Sequence, residues 1–404
     1  MRIPWNKLKD AARSEEYADE FTHGLYRYPA GMPPQLVRTL ILRLTKPGDL
    51  VLDPFCGGGT AAIEAFAHGR CSINSDLNSL ACFVTHARAQ PLGESSLQAY
   101  ARWSVEASTV LRRPNRIEPI PLIVSNRYRY APSTYGSLIA LRDLAKQVED
   151  AGARRLALLT VLRLGKSVFD CRKSYPTPRM LAKSLPVTAT GYYKRMKSYS
   201  RTCGAAWRHW RRYSSKLRIL QMDAICLANR LGDLPKRTSL ILTSPPYPRV
   251  HMLYHRWQLY GRKETSVPYD LLGIEDGKGG TDYTMGSRCD SGDNHYFQKL
   301  ERTYRALGEV IPPNALVAQI LAFAQPERQL PLFLNSMFDA GFHEIRPRSL
   351  DEDRVTRTVP HRRWYASLAG PNPSAQEYLF IHRFDSRRGR PATEERRGRT
   401  ARVS

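Results

Sequence analysis

Asp49-Leu50-Val51-Leu52-Asp53-Pro54-Phe55-Cys56-Gly57-Gly58-Gly59-Thr60, running directly into Ala61-Ala62-Ile63-Glu64-Ala65-Phe66-Ala67, is the stretch that sets the class of fold. An apolar run of strand length breaks at a proline, crosses three glycines and opens a helix. Glycines let a backbone approach a ligand without a Cβ in the way, beneath the free N–H groups of a helix start. A phosphate cradle is the obvious rival, but the Lys-Ser/Thr ending of a P-loop is missing. Some way beyond the loop, Cys71-Ser72-Ile73-Asn74-Ser75-Asp76 reads as a second strand ending in an acid. An acid at that spacing can grip ribose hydroxyls; the plainer alternative is a solvated aspartate at a strand end.

A second stretch, Ser239-Leu240-Ile241-Leu242-Thr243-Ser244-Pro245-Pro246-Tyr247, ends in an unusual way. Two prolines cannot donate to a sheet ladder, so the strand must stop there. What remains is a stiff turn presenting a serine hydroxyl, a proline carbonyl and an aromatic ring. Those groups suit a flat heterocycle bearing an amino group: serine oxygen and carbonyl accept its two N–H hydrogens while the tyrosine stacks on the ring. Taken alone, the motif can equally be a rigid turn.

Together the two stretches resemble the amino-methylating DNA methyltransferases, which use S-adenosylmethionine to methylate N4 of cytosine or N6 of adenine. The family's cofactor motif stands at Asp53 to Thr60 and its catalytic motif at Ser244 to Tyr247. Thr22-His23-Gly24-Leu25-Tyr26-Arg27-Tyr28-Pro29-Ala30 is similar to the N-terminal cofactor motif that precedes the family's first strand. Two departures stand out: Gly58 where serine is more usual, and Asn74-Ser75-Asp76 where a glycine often precedes the acid. The match covers the first hundred or so residues and most of the chain from Leu217 to Phe384, and is weak between them.

The resemblance implies Asp53, Phe55, Gly57 and Gly59 around the methionine end of the cofactor and Asp76 on the ribose. Asp223 would accept from the adenine amino group, with Thr60 and Tyr28 as further contacts. Asp223 can equally be a helix cap, because Ala224 to Leu231 follows it. The catalytic set is Ser244, Pro245, Pro246 and Tyr247. Ser244 Oγ and the Pro245 carbonyl would take the hydrogens of the exocyclic amine and free its lone pair, and Tyr247 would stack on a base extruded from the duplex. Direct attack on the methyl group needs no cysteine nucleophile, so Cys56 reads as packing.

The formal charge of +25 and the pI near 10 point to a polyanionic partner. Between Cys171 and Met222 there is no acid but there are thirteen Lys or Arg, interleaved with Tyr175, Tyr192, Tyr193, Tyr199, Trp207, Trp210 and Tyr213. Basic groups neutralise phosphates and aromatics stack or pack beside the backbone; a basic surface helix with core-facing aromatics is the plainer reading. Lys194, Arg195, Lys197, Arg201, Arg208, Arg211 and Arg212 are the DNA-facing candidates. Arg388-Gly389-Arg390-Pro391 in the tail resembles an AT-hook core, adding Arg388 and Arg390.

Seven cysteines form no CxxC pair and no Cys/His cluster, so neither a metal site nor a disulfide framework is expected. No apolar run is long enough to span a bilayer and the charged N-terminus lacks a signal-peptide core, so the expectation is a cytoplasmic, nucleoid-associated prokaryotic protein. The fold expected is α/β, a Rossmann-like methyltransferase with a doubly wound, mainly parallel sheet plus a largely helical insertion. Residues 1–95 hold the cofactor motifs, 96–216 a basic helical insertion for DNA recognition, 217–385 the catalytic half and 386–404 a disordered basic tail. Within the insertion, helical spacing covers Leu97 to Leu111, Leu138 to Glu149 and Arg154 to Lys166, and Val124 to Tyr130 reads as loop or edge strand. The segment Gly261 to Asn294, rich in Gly, Asp and Ser, reads as a lid or DNA-contact loop.

The function expected is methyl transfer to N4 of cytosine in double-stranded DNA, because serine in the first catalytic position leans that way within the family. N6 of adenine is the near alternative, followed by RNA methylation and by a non-catalytic nucleic-acid-binding protein that keeps the fold. A cognate restriction endonuclease is a possible partner.

Overall fold

The computed structural model describes residues 3–14, 20–28, 31–113, 117, 131–171, 177–208, 216–231, 238–249, 257–258, 265–275, 285, 291–313, 315–348, 350, 352–358 and 376–385. Arg211, Arg212, Arg388, Arg390, the 124–130 run and most of the 261–294 loop lie outside them.

The apolar runs form the parallel strands β1 (Leu50–Asp53), β2 (Cys71–Asp76), β3 (Leu217–Gln221), β4 (Thr238–Thr243) and β5 (Leu316–Ala322). β6 (Phe342–Glu344), β7 (Val355–Thr358) and β8 (Gln376–Phe384) complete the sheet. Its order is β3-β2-β1-β4-β5-β8-β6, with β7 also on β8. β8 is antiparallel to β5, β6 and β7, while all pairs among the first five strands are parallel. The order reverses between β1 and β4, which places a crevice at their carboxyl ends. A doubly wound sheet closed by an antiparallel strand is the Rossmann-like methyltransferase fold.

Successive side chains leave a strand on opposite faces, and the central strands bury both. Leu50, Leu52, Ile241 and Val317 enter one core with α11 (Ser291–Val310) and α12 (Pro326–Asp339). Val51, Leu240, Leu242 and Ala318 face the other way, onto α1 (Trp5–Arg13) and α2 (Pro34–Leu44). The helix that follows the glycines, α3 (Thr60–Ala67), is buried at every position, and its alanines allow that close approach.

Between α4 (Ser79–Ala89) and β3 come α5 (Glu94–Leu111), α6 (Pro132–Lys146), α7 (Ala151–Phe169) and α8 (Pro178–Ala206). Three of these match the helical spacing. The fourth, α8, runs through the basic segment despite Pro186 in its interior. Among the described residues the insertion shares its core with the rest: its Leu97, Trp103, Leu156, Leu162 and Tyr199 lie in one cluster with Tyr26, Ala62, Phe66, Leu80 and Val84. Short α9 (Leu227–Leu231) and α10 (Val267–Leu272) fill the remaining connections.

Candidate functional site

At the switch point the two decisive stretches touch. Thr243 Oγ1 donates to Asp53 Oδ1 at 2.6 Å, a contact spanning 190 positions of sequence. The same Asp53 oxygen accepts the Phe55 N–H at 3.2 Å, while Oδ2 is buried with no partner among the described residues. Burial pushes the Asp53 carboxyl up to about 7, against the pull of those two hydrogen bonds.

Beside this contact lies an open cavity with about 930 Å³ of empty space, counting its mouth. Its wall carries both motifs: Phe55, Gly57 and Thr60 from one side, Ser244 and Pro246 from the other. Tyr28, Asp76 and Asp223 also reach it. Asp53, Gly59, Pro245 and Tyr247 stand behind the wall instead.

The glycine loop owes its shape to close neighbours. Gly59 caps α3 with φ +78°, and a Cβ there would stand 2.6 Å from Thr85 Cγ2. At Gly58 a Cβ would meet Tyr28 Cβ at 2.6 Å and Arg88 Nη1 at 2.9 Å. That crowding explains the absence of the serine more usual at this position. Arg88, which motif reading passed over, is buried and donates to the carbonyls of Thr22, His23 and Gly58. It binds the N-terminal motif to the glycine loop, and burial lowers its guanidinium only to about 10, so it stays charged. A second tie runs through Glu64 on α3, which accepts from Arg38 Nε at 2.9 Å and bonds His23 Nε2 at 2.7 Å.

Asp76 accepts the N–H groups of Gly57 and Asn78, both at 2.9 Å, and burial raises its carboxyl to about 6. It therefore shapes the loop as well as lining the cavity. Asp223 accepts from Ile225 N at 3.1 Å and caps a single 3₁₀ turn (Ala224–Cys226), while its other oxygen lies 3.8 Å from Lys299 Nζ. The cap reading of Asp223 holds, and its carboxylate still reaches the cavity.

The turn from Ser244 to Tyr247 is held from three sides. Ser244 Oγ donates to the Ile320 carbonyl at 3.0 Å, Tyr296 donates to the Pro246 carbonyl at 2.7 Å, and Arg249 makes a two-pronged pair with buried Asp293 at 2.9 and 2.8 Å. Tyr247 differs from the stacking ring expected of it. It is 6% exposed within the core shared with Leu52 and Phe297, and its hydroxyl donates to Glu377 at 2.7 Å. Its hydroxyl bond across to β8 lets the tyrosine pin the turn.

On the basic segment, Lys194, Arg201 and Arg208 are exposed and recur every seventh residue along α8 and just past its end. That interval is close to two helical turns, so they form one stripe. Arg195 is half-buried, and Lys197 pairs with Glu94 at 3.3 Å. Tyr192, Tyr199 and Trp207 face inward; Tyr199 donates to the Ala89 carbonyl and Trp207 to that of Phe66. For these three the core-facing alternative is correct, since alternate helix faces separate the rings from the charges.

The described residues offer no group of three His, Cys, Asp or Glu that could hold a metal ion, and no helix long and apolar enough to cross a membrane.

Residues 5–84 match the family model described as DNA methylase, N6_N4_Mtase. The chain is 29% identical over 90 residues to the type II methyltransferase M.MjaII of Methanocaldococcus jannaschii, covering 22% of this chain and 17% of that protein. It is 35% identical over 98 residues to the type II methyltransferase M.MvaI of Kocuria varians, covering 23% and 22%. It is 36% identical over 79 residues to the DNA adenine methyltransferase YhdJ of Escherichia coli, covering 20% and 25%. The matched stretch thus spans a quarter or less of these relatives.

Proposed function

On the premise that the chain carries the signature of the amino-methylating DNA methyltransferases, we propose that it transfers a methyl group to an exocyclic amino nitrogen of a DNA base, N4 of cytosine ahead of N6 of adenine. The observation that carries this reading is the Thr243–Asp53 bond beside a cavity walled by both motifs.

The residues fit S-adenosylmethionine. Two acids on the cavity wall offer acceptors for hydroxyl and amino groups, and the loop between them admits no Cβ at Gly58 or Gly59. When bound, S-adenosylmethionine supplies a methyl group on a positively charged sulfur. Asp76 would hold ribose hydroxyls, Asp223 the adenine amino group, and Tyr28, Phe55, Gly57 and Thr60 would line the rest. Asp53 and Gly59 act from behind, fixing the Phe55 N–H and the turn.

Ser244 holds the target amine. A serine hydroxyl has one hydrogen and two lone pairs. The hydrogen goes to Ile320 O, so the lone pairs stay available to accept an N–H from the base amine. Accepting that hydrogen biases the nitrogen toward a pyramidal form with an available lone pair. Positioning and preorganised acceptors then supply most of the rate. The exposed stripe Lys194, Arg201 and Arg208 would track phosphates.

Serine in the first catalytic position supports cytosine N4. The likeness to an adenine methyltransferase supports N6 as the second reading. The test is incubation with labelled S-adenosylmethionine and duplex DNA, then digestion to nucleosides. N4-methylcytosine is expected. N6-methyladenine would move the target to the second reading, and label found in structured RNA alone would overturn the DNA assignment.

A further inference from the structure

The motif ends at Tyr247, but its hydrogen bonds continue. Tyr247 Oη donates to Glu377 Oε1 at 2.7 Å across 130 positions of sequence, and Arg357 Nε donates to Glu377 Oε2 at 2.7 Å. Arg357 and Glu377 are direct cross-strand partners in the β7–β8 ladder, and Glu377 sits opposite Ala322 at the end of β5. Two residues back along β5 is Ile320, whose carbonyl receives the Ser244 hydrogen. Glu377 is 5% exposed, and the side chains of the pair are 7% and 13% exposed.

Resting on the transferase reading above, we propose that the Arg357–Glu377 ion pair is a positioning device for methyl transfer, setting through Tyr247 the direction in which Ser244 offers its lone pairs. Hydrogen accounting carries the argument. An ionised glutamate only accepts, and a tyrosine has one hydrogen to give. With that hydrogen committed to Glu377, the Tyr247 oxygen can only accept from Ser244, 3.4 Å away. Both groups within reach of the Ser244 hydrogen, Ile320 O and Tyr247 Oη, are then acceptors, and no neighbour in this chain of bonds donates to Ser244. Without Glu377, Tyr247 would be released to donate to Ser244 and occupy a lone pair needed for the amine. Arg357 holds the glutamate aimed through its own bond to the other carboxylate oxygen, a charge-assisted contact in a largely buried pair.

The test compares wild type, Glu377→Ala, Tyr247→Phe, the double variant and Glu377→Gln in single-turnover methyl transfer at saturating cofactor and DNA, with cofactor affinity measured separately. Glu377→Ala should slow transfer about tenfold or more, Tyr247→Phe should slow it less because it leaves no competing donor beside Ser244, and the double variant should be faster than Glu377→Ala alone and match Tyr247→Phe. Cofactor affinity should stay within about twofold. Glu377→Gln should recover part of the rate, because its amide oxygen still accepts from Tyr247 although its NH₂ faces Arg357. The same coupling should appear in urea midpoints, a readout that needs no methyl transfer. Wild-type rates in Glu377→Ala, or losses that multiply in the double variant, would overturn this inference and leave the transferase reading standing. A loss of rate matched by an equal loss of cofactor affinity, unrelieved in Glu377→Gln, would also overturn it. A wild-type protein that methylates no nucleic acid would remove both. Should Glu377→Ala fail to fold, Tyr247→Phe and Glu377→Gln decide on the same criteria.

Discussion

Asp53 ends β1 with one carboxylate oxygen used twice and the other unpartnered. Its carboxyl titrates near 7 in the fold against 3.8 unperturbed, so between about pH 4 and about pH 7 the folded chain holds more of a proton than the unfolded one. The unliganded protein should therefore lose stability as pH rises through that window, with the Asp53 part of the slope absent in Asp53→Asn; urea unfolding against pH measures it. Cofactor binding should run the other way. Asp76, raised to about 6, and Asp53 accept best when ionised, so affinity for S-adenosylmethionine should climb between about pH 5 and about pH 8. Titration calorimetry of Asp53→Asn should show a flattened upper half of that rise. Gly58 makes a separate prediction from geometry alone. Gly58→Ala brings a methyl within 2.6 Å of Tyr28 Cβ, and should cost about 1–3 kcal/mol and at least tenfold in cofactor affinity. The two motifs were legible because each is continuous in sequence. Arg88 was not, since its three partners are backbone carbonyls, to which any sequence gives rise.

Helix α8 carries exposed charges on one face and buried aromatic rings on another. Charge reversal at Lys194, Arg201 and Arg208 together should weaken DNA binding and reduce the dependence of log affinity on log salt by roughly three contacts' worth, read from binding isotherms at several salt concentrations. Cofactor affinity should be unchanged. Substituting Tyr199, by contrast, should act on stability, because its ring is fully buried and its hydroxyl bonds Ala89 O. The sequence displayed the charges and rings of this segment without displaying their separation, since Pro186 interrupts the helical signal. β6 and β7 were illegible for another reason. They are three and four residues long, and β7 reads Val-Thr-Arg-Thr, with one buried side chain. Their place is fixed by pairing with β8, a tertiary fact that also hid Glu377 from any reading of the catalytic motif.

Across the molecule, the insertion and the cofactor half share one apolar cluster, running from Tyr26 and Phe66 to Leu162 and Tyr199. Calorimetry should therefore show one unfolding transition, and deletion of residues 94–206 should leave a chain that aggregates, because those partners would lose their cover. Two separated transitions would contradict it. One joint lies where α8 ends. Trp207 lies tilted against Phe66 with ring centroids 5.1 Å apart and donates to its carbonyl at 2.9 Å, so the basic helix is bolted to the one that springs from the glycine loop. Any graft that replaces α8 should have to import that bolt as well, or the seat of the helix behind the glycine turn will work loose.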